Sequence, residues 1–532
     1  MSNKEFRAGG KVARKWWTLM AVTVATFMLL LDITVVNTAL PSIARNLHAS
    51  FTDLQWVVDA YTLALAAVVL TAGSLADRLG RRAVFATGLA VFSLSSLAAG
   101  LAPNATFLNL SRAVEGVGGA AMFAVSLALL AQEFPAGRER GTAMGVYGAT
   151  IGASVAFGPL VGGVLTQSVG WRWVFFINVP VGLAALAVTF LKLRESRDPK
   201  IRRIDWAGLA TLSGGLFLLV LALVRGNDQG WASALILGEL AGAAVLLGSF
   251  ILIERAVAEP MLPLDLFRRR AFTGVQIAAA GVSISLFSLF LYLTLYLQDY
   301  LHYSPLQAGL RYLPITLGAF LAAPVAGALL GRVHARILMA IGLAGTGIGL
   351  LLMSGLGRSS GWTALLPGFV VAGLAVGLLN PVIADVALSV VPKERSGMAA
   401  GVNDTFRQVG VALGTAVWGA VFLARGASTA GSRLAGTLAG TGGRPRQLIE
   451  AFSGGGHASP EHAVPPSARA AVIDATHLGF LAGLNLILVI GGVATLVAAV
   501  LALWLVRERE IERGEKVDAS FPRSEQLEYA QV

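Results

Sequence analysis

Long, nearly uncharged apolar blocks dominate this chain, among them 16–31, 60–70 and 484–506. A helix rises 1.5 Å per residue, so about twenty such residues cross the ~30 Å of hydrocarbon in a bilayer. Turn-forming and charged breaks divide the sequence into fourteen segments of this kind. They lie near 16–40, 54–75, 83–102, 105–131, 142–166, 171–191, 205–225, 231–253, 272–297, 306–330, 336–356, 361–391, 397–423 and 476–506. Charged residues make up only 13% of the 532 positions and hydrophobic ones 55%. A soluble protein carries roughly 25% charged residues, so the polar surface that soluble domains would need is missing. The chain reads as an all-α, polytopic membrane protein.

The net charge is nevertheless +11. In a soluble protein that excess suggests nucleic acid; in a membrane protein it suggests Lys and Arg gathered in cytoplasmic loops. Their placement decides. An even number of spans puts both termini on one side, and the basic stretch 1–15 puts that side in the cytoplasm. Most of the 41 Lys and Arg then fall inside, whereas the short outer loops hold only Arg45, Arg172, Arg225, Arg311 and Arg358. The excess is topology, and no nucleic-acid partner is expected. With no cysteine, disulfides, thiolate metal sites and thiol catalysis are excluded. The six histidines are scattered without ligand spacing, so no metal is expected. No Gly-x-x-x-x-Gly-Lys-Ser/Thr loop appears, so ATP is not the expected energy source. No paired Asp, Ser–His or zinc-protease pattern lies within the spans, so an enzyme is not expected. Arg far outnumbers Lys, and Ala and Gly abound, a composition expected of a GC-rich bacterial genome.

A faint internal repeat organises the spans. Gly73-Ser74-Leu75-Ala76-Asp77-Arg78 recurs as Gly327-Ala328-Leu329-Leu330-Gly331-Arg332. Gly141-Thr142-Ala143-Met144-Gly145-Val146 recurs as Gly397-Met398-Ala399-Ala400-Gly401-Val402. Spans 1–6 therefore match spans 9–14, with spans 7 and 8 inserted. The expected organisation is a cytoplasmic tail at 1–15, a six-helix bundle at 16–200, an inserted pair at 201–255, a second bundle at 256–506 and a cytoplasmic tail at 507–532. The Gly-, Ser-, Ala- and Pro-rich stretch 424–475 reads as a flexible extracytoplasmic loop. The basic N-terminal stretch leads into a span longer than a signal-peptide core, and is expected to be retained.

Four stretches carry a family resemblance. They are Leu31-Asp32-Ile33-Thr34-Val35-Val36-Asn37-Thr38-Ala39-Leu40-Pro41 in span 1, and Gly73 to Arg82 after span 2. The others are Gly152 to Gly163 in span 5, with Gly158-Pro159 and Gly162-Gly163, and Trp171-Arg172-Trp173-Val174-Phe175-Phe176-Ile177-Asn178-Val179-Pro180 entering span 6. In this order they closely resemble the fourteen-span drug:proton antiporters of the major facilitator superfamily, the multidrug efflux pumps, from about Trp16 to Val506. The resemblance implies the major facilitator fold, two six-helix bundles plus an inserted helix pair, in a bacterial inner membrane. It implies a transporter that exchanges external protons for lipophilic or cationic compounds, contributing to antibiotic resistance. The cofactor expectation is none, with the proton motive force as energy source; substrates, protons and membrane lipids are the expected partners of a monomer. One departure stands out: the family's Arg-x-x-Gln-Gly in span 4 is Arg112-Ala113-Val114-Glu115-Gly116 here. A proton-coupled transporter of one specific solute (an amino acid, lipid or siderophore) would share every motif; a channel, by contrast, would not depend on a proton gradient.

The charges inside the spans are few. Asp32 lies nine residues before Pro41, roughly 13 Å below the outer boundary, and Arg112 roughly 12 Å deep in span 4. Opposite charges at one depth can pair across the bundle, and an ionisable group in a span marks a functional site by default. Asp32 is the candidate proton carrier and Arg112 its tuner. Glu115, three residues on and on the same face, is either an intrahelical neutraliser of Arg112 or a second protonatable carboxylate. Asp404 and Arg407, also three apart in span 13, are expected to neutralise each other or to belong to the substrate cavity. Glu239 has no evident partner, and Asp59 and Asp299 sit shallow enough to be solvated.

The remaining candidates are mechanical or substrate-facing. In the loop after span 2, Gly73 and Gly80 permit tight turns, and Asp77 can latch onto a basic residue or helix N-terminus of the other bundle. Arg78, Arg81 and Arg82 would meet anionic lipid. The repeat copy has Gly331 in place of Asp77, so a one-sided latch is expected. Gly158, Pro159, Gly162 and Gly163 would make span 5 a kinkable helix at the bundle interface. For substrate contact the candidates are Phe27, Met28, Asn37, Tyr292, Tyr296, Asn380 and Phe406, with Asp404 and Arg407.

Overall fold

The computed structural model describes residues 3–49, 51–134, 138–196, 205–257, 260–330, 332–392, 395–434 and 469–511. Among these residues there is no β-strand beyond one isolated bridge, Leu330–Val333. The helices are α1 Asn3–Leu47, α2 Phe51–Leu79, α3 Arg81–Gly100, α4 Ala105–Glu133, α5 Arg138–Ser168, α6 Trp173–Phe176 and α7 Asn178–Lys192. There follow α8 Trp206–Gln229, α9 Ala234–Ala256, α10 Arg270–Val282, α11 Ser288–Leu295, α12 Pro305–Arg311 and α13 Leu313–Leu329. The last are α14 Ala335–Leu352, α15 Leu366–Ser389, α16 Ser396–Leu434 and α17 Arg469–Leu505. Helix occupies all fourteen predicted segments. Twelve helical stretches are long and apolar enough to cross a membrane; the other two segments are filled by α5 and by α12 with the seventeen-residue α13.

Two large apolar cores form, one centred in each half. One joins α1–α5 and α7 around Met28, Leu65, Phe85, Phe92 and Val125, and reaches the other half at Ala384, Leu388 and Ala400. The other joins α10–α17 around Phe272, Leu293, Phe369 and Phe480, and reaches the inserted α8 through Leu209, Leu212 and Leu216. A small cluster places Val220 of α8 between Leu63 and Ala66 of α2 and Val409 and Ala412 of α16, so the inserted pair touches both halves. The loop expected at 424–475 is shorter than its composition suggested: α16 runs on to Leu434 and α17 begins at Arg469. The alanines at 424–434 favour helix where glycine and serine suggested a linker. Residues 435–468 lie outside the described residues, as does most of the C-terminal tail.

Two local irregularities position polar groups. Between α6 and α7 the chain breaks at Ile177, because Pro180 has no N–H for the carbonyl of Phe176. The break sets Asn178 facing the bundle centre. In the stretch from α10 to α11 a π-turn at Ser283–Phe287 loosens the backbone, and the carbonyl of Ile284 accepts a 2.6 Å bond from the Trp418 indole of α16.

Candidate functional site: a buried charge triad and a two-point closure

Asp32 of α1, Arg112 of α4 and Glu115 of α4 meet in the centre of the first half. The Arg112 Nη1 lies 2.5 Å from Asp32 Oδ2 and 2.8 Å from Glu115 Oε2. Its Nε donates 3.0 Å to the Val57 carbonyl of α2, and the guanidinium stacks 4.4 Å over the Tyr61 ring. All three ionisable side chains are at most 2% exposed. Gly116 makes this packing possible, since a Cβ there would collide with the Tyr61 carbonyl and push α4 off α2.

Three polar residues complete the cluster. Asn178 Nδ2 donates 3.0 Å to Asp32 Oδ1 and 3.0 Å to Ser96 Oγ, and Ser96 donates 3.1 Å to the Phe175 carbonyl. Tyr61 donates to the Leu29 carbonyl at 3.4 Å. Asn178 stood within a recognised stretch, and an amide in an apolar run was the signal that would have singled it out. Ser96 had no such signal. The second oxygen of Glu115 is buried and receives no hydrogen bond, its neighbour Ser96 having committed its proton elsewhere. The triad therefore holds two carboxylates on one guanidinium, sealed from solvent.

Far from the triad, the two halves meet at two pseudo-equivalent crossings. Gly73 of α2 packs on Gly397 of α16, and Gly141 of α5 on Gly327 of α13; a Cβ on either member would run into the opposing carbonyl. Each glycine thus packs against the repeat copy of the other. At the first crossing the Asp77 carboxylate accepts from the backbone N–H of Gly397 at 3.0 Å and of Met398 at 2.8 Å, capping α16. Arg81 binds the same carboxylate at 2.8 Å. Gly80 turns the chain with φ of 116°. Arg81, expected at the lipid surface with Arg78 and Arg82, is instead buried, because Asp77 offers it a partner one turn away. Arg78 is half-buried, and the backbone N–H of Arg82 donates 3.0 Å to Glu195.

The second crossing is not bare. Gly331 lies outside the described residues, but Arg140 of α5 lies 3.3 Å from Asp385 of α15, an ion pair between halves that replaces the missing carboxylate. The one-sided latch expected from the repeat is therefore corrected to two closures of different chemistry. Span 5 lies at the bundle interface, packing along α13 and against α12 of the second half. Of its expected glycines, however, Gly158 and Gly162 face Thr34 and Thr38 of α1, within the first half, and Gly163 has open space around it. The close glycine contacts with the second half are made at Gly141, Gly145 and Gly148. Pro159 lies in α5, with its side chain outside the described residues.

Of the substrate candidates, Asn380, Asp404 and Arg407 line a narrow cavity between α4, α5, α15 and α16. Asp404 and Arg407 make no close ion pair, but each lies within electrostatic reach of the other. The guanidinium donates 3.2 Å to Asn380 Oδ1, and Oδ2 of Asp404 has no hydrogen-bond partner. Met28 is core, while Phe27 and Phe406 pack against the cores at half exposure. Tyr292 stacks on Phe422 and donates to the Thr415 carbonyl; Tyr296 stacks on Tyr300 and donates to the Ser360 carbonyl. The side chain of Asn37 is outside the described residues. Glu239 finds a partner after all in Arg225 of α8, at 2.9 Å. Asp59 and Asp299 are partly exposed.

The model of the Major Facilitator Superfamily matches residues 22–415. The chain belongs to this superfamily. It is 35% identical to the tetracenomycin C resistance and export protein of Streptomyces glaucescens over 97% of its own length and 95% of that protein's. It is 39% identical to the puromycin resistance protein of Streptomyces alboniger, covering 77% of this chain and 82% of that one. Among solved structures, the human organic anion transporter MFSD10 shares the fold with a TM-score of 0.60 at 16% identity, covering 92% of this chain and 99% of the other. This superfamily protein is a multi-pass membrane transporter, helical among the described residues.

Proposed function

We propose that this protein exports lipophilic drug-like compounds across a bacterial inner membrane in exchange for protons, by alternating access, with fourteen membrane-crossing helices and both termini in the cytoplasm. The observation that carries the reading is the triad. With all three groups ionised, Asp32, Arg112 and Glu115 sum to one uncompensated negative charge in a site almost without water. One proton balances it, and a proton taken from one side and given up on the other is a coupling ion. Drug resistance and export in the named relatives support the cargo class, and the absence of a nucleotide-binding loop supports the proton gradient as energy source.

The two crossings supply the mechanics. They join the halves at the basic, cytoplasmic-side ends of α2, α5, α13 and α16, so the conformation described is closed on that side. Opening requires Asp77 to leave the α16 N-terminus and Arg140 to leave Asp385 together. The test is uptake of a fluorescent lipophilic dye into everted vesicles with an acid interior. Wild type should accumulate dye and Asp32→Asn should not. Gradient-driven uptake unchanged in Asp32→Asn would sink the coupling role.

A further inference from the structure

The inserted helices carry two buried carboxylates that the transport mechanism leaves unused. Asp205 caps the start of α8, its Oδ1 accepting from the Gly208 N–H at 2.8 Å. Glu254, in the last turn of α9, accepts through Oε2 from the Leu262 N–H at 3.1 Å, which anchors the connection to α10 at the buried Met261 and Leu262. The two acids are 8% and 4% exposed. Oδ2 of Asp205 and Oε1 of Glu254 receive no hydrogen bond, and both lie against Gly208, where a Cβ would touch each of them. Bare oxygens from the ends of two helices thus face one small space. Arg78, in the last turn of α2, lies within electrostatic reach of Glu254. Among the other described charges nearby, Arg255 is exposed, Asp265 and Arg268 pair with each other in solvent, and Asp77 is tied to Arg81 and α16.

Metal, water and proton differ in how well they complete this space. A divalent cation takes about six oxygen ligands or more and would find only two free ones. A water could donate to both oxygens, but it leaves two buried negative charges against the single guanidinium of Arg78. One proton does both: it joins Oδ2 to Oε1 in a hydrogen bond and cancels the surplus charge, since two adjacent carboxylates resist ionising together. We propose that Asp205 and Glu254 share one proton and form a second protonation site, separate from the triad, that fastens the inserted pair where it meets α2 and the entry to the second half. Beside it α8 is held to α2 by the 2.8 Å hydrogen bond between Thr71 and Ser213 and by Leu70 packing with Leu209 and Leu212. A proton bound in the closed form is lost as pH rises, so the fastening is firm in acid and loosens in base. The topology proposed above puts the site at the cytoplasmic face, where the pH of the cytoplasm sets how firmly the inserted pair braces α2.

Because the chain has no cysteine, a Met261→Cys probe beside Leu262, at a position 3% exposed, reports opening of this corner. Its labelling by a maleimide is followed on the purified full-length protein from about pH 6 to about pH 9, with and without Glu254→Gln or Asp205→Asn. Glu254→Gln keeps the acceptor for Leu262 and supplies a permanent donor to Asp205, and Asp205→Asn keeps a helix cap. The ratio of rates between backgrounds cancels the titration of the thiol itself and of the triad. Across this range the probe with both acids present should gain about tenfold or more over Glu254→Gln, one pKa unit being a factor of ten. Asp205→Asn should flatten the profile in the same way. A ratio constant within about twofold would mean that both acids stay ionised around a water, and would overturn the proposal. Protection restored by magnesium ion in base would overturn it in favour of a metal site. In everted vesicles the outer pH should govern labelling; control by the interior pH would break the proposed topology and leave the shared proton standing.

Discussion

Two acid–base pairs in this chain look alike on paper. Arg112 and Glu115 lie three residues apart within a span, and so do Asp404 and Arg407. The first pair is in contact at 2.8 Å and is drawn into a wider network by Asp32 and Asn178. The second is not: Arg407 turns to Asn380, and Asp404 faces the cavity unpaired. Spacing puts two side chains on one helix face, but what the neighbouring helices offer decides whether they meet. In the first half, α1 brings a carboxylate to the arginine; in the second, α15 brings an amide to it and leaves the acid to the cavity. One half therefore ties its buried charges into a single network, and the other leaves a buried carboxylate oxygen without a partner.

The sharpest way to break this contrast is to remove each arginine. Arg112→Met strands two buried carboxylates, and losing one partner of a buried pair costs about 3–5 kcal/mol. Its melting temperature should fall steeply and dye transport should vanish. Arg407→Gln forfeits one hydrogen bond to an amide, about 1–3 kcal/mol, so its melting temperature should fall clearly less. Equal losses would erase the distinction between a sealed network and an open site.

Next in size are the closures. Asp77→Asn combined with Arg140→Gln keeps polar side chains while removing charge at both crossings. Because the chain has no cysteine, an Ala384→Cys probe in the cavity reports access without background. Its labelling by a maleimide from the cytoplasmic side should speed up several-fold in the double variant, and by less in either single variant. An unchanged rate would mean that glycine packing alone holds the cytoplasmic side shut. Asn178→Leu should cost about 1–3 kcal/mol in stability, since it removes one donor shared by two buried acceptors. The smallest effect on stability is expected of Glu115→Gln, which keeps an oxygen for Arg112 and restores the amide usual in the family. Because it removes the surplus negative charge of the triad, gradient-driven transport should fall as it does in Asp32→Asn. Transport kept within about threefold of wild type would mean that the surplus charge is not what holds the proton.

Much of this was legible in the sequence because hydrocarbon imposes simple rules. Apolar length marked the helices, and depth counting put Asp32 opposite Arg112. The repeat motifs contain the glycines of both crossings, but which glycine meets which was not legible from them. What stayed hidden depends on rotation and on long-range neighbours. No spacing rule links Arg140 to Asp385 on another helix, or says which way Arg407 turns. The turn of Gly158 and Gly162 toward α1 depends on how α5 is rotated, which glycine and proline content leaves undetermined. Ser96 drew no notice because a serine in a span usually bonds its own helix, whereas this one reaches the Phe175 carbonyl of another helix.

Coupling requires that the triad of Asp32, Arg112 and Glu115 lose its proton when drug binds. It is tested most directly by mixing purified protein with a transported compound in weak buffer and following proton release with a pH-sensitive dye. Wild type should release protons in proportion to drug bound, and Asp32→Asn should bind drug while releasing none. Equal release from both proteins would contradict the account.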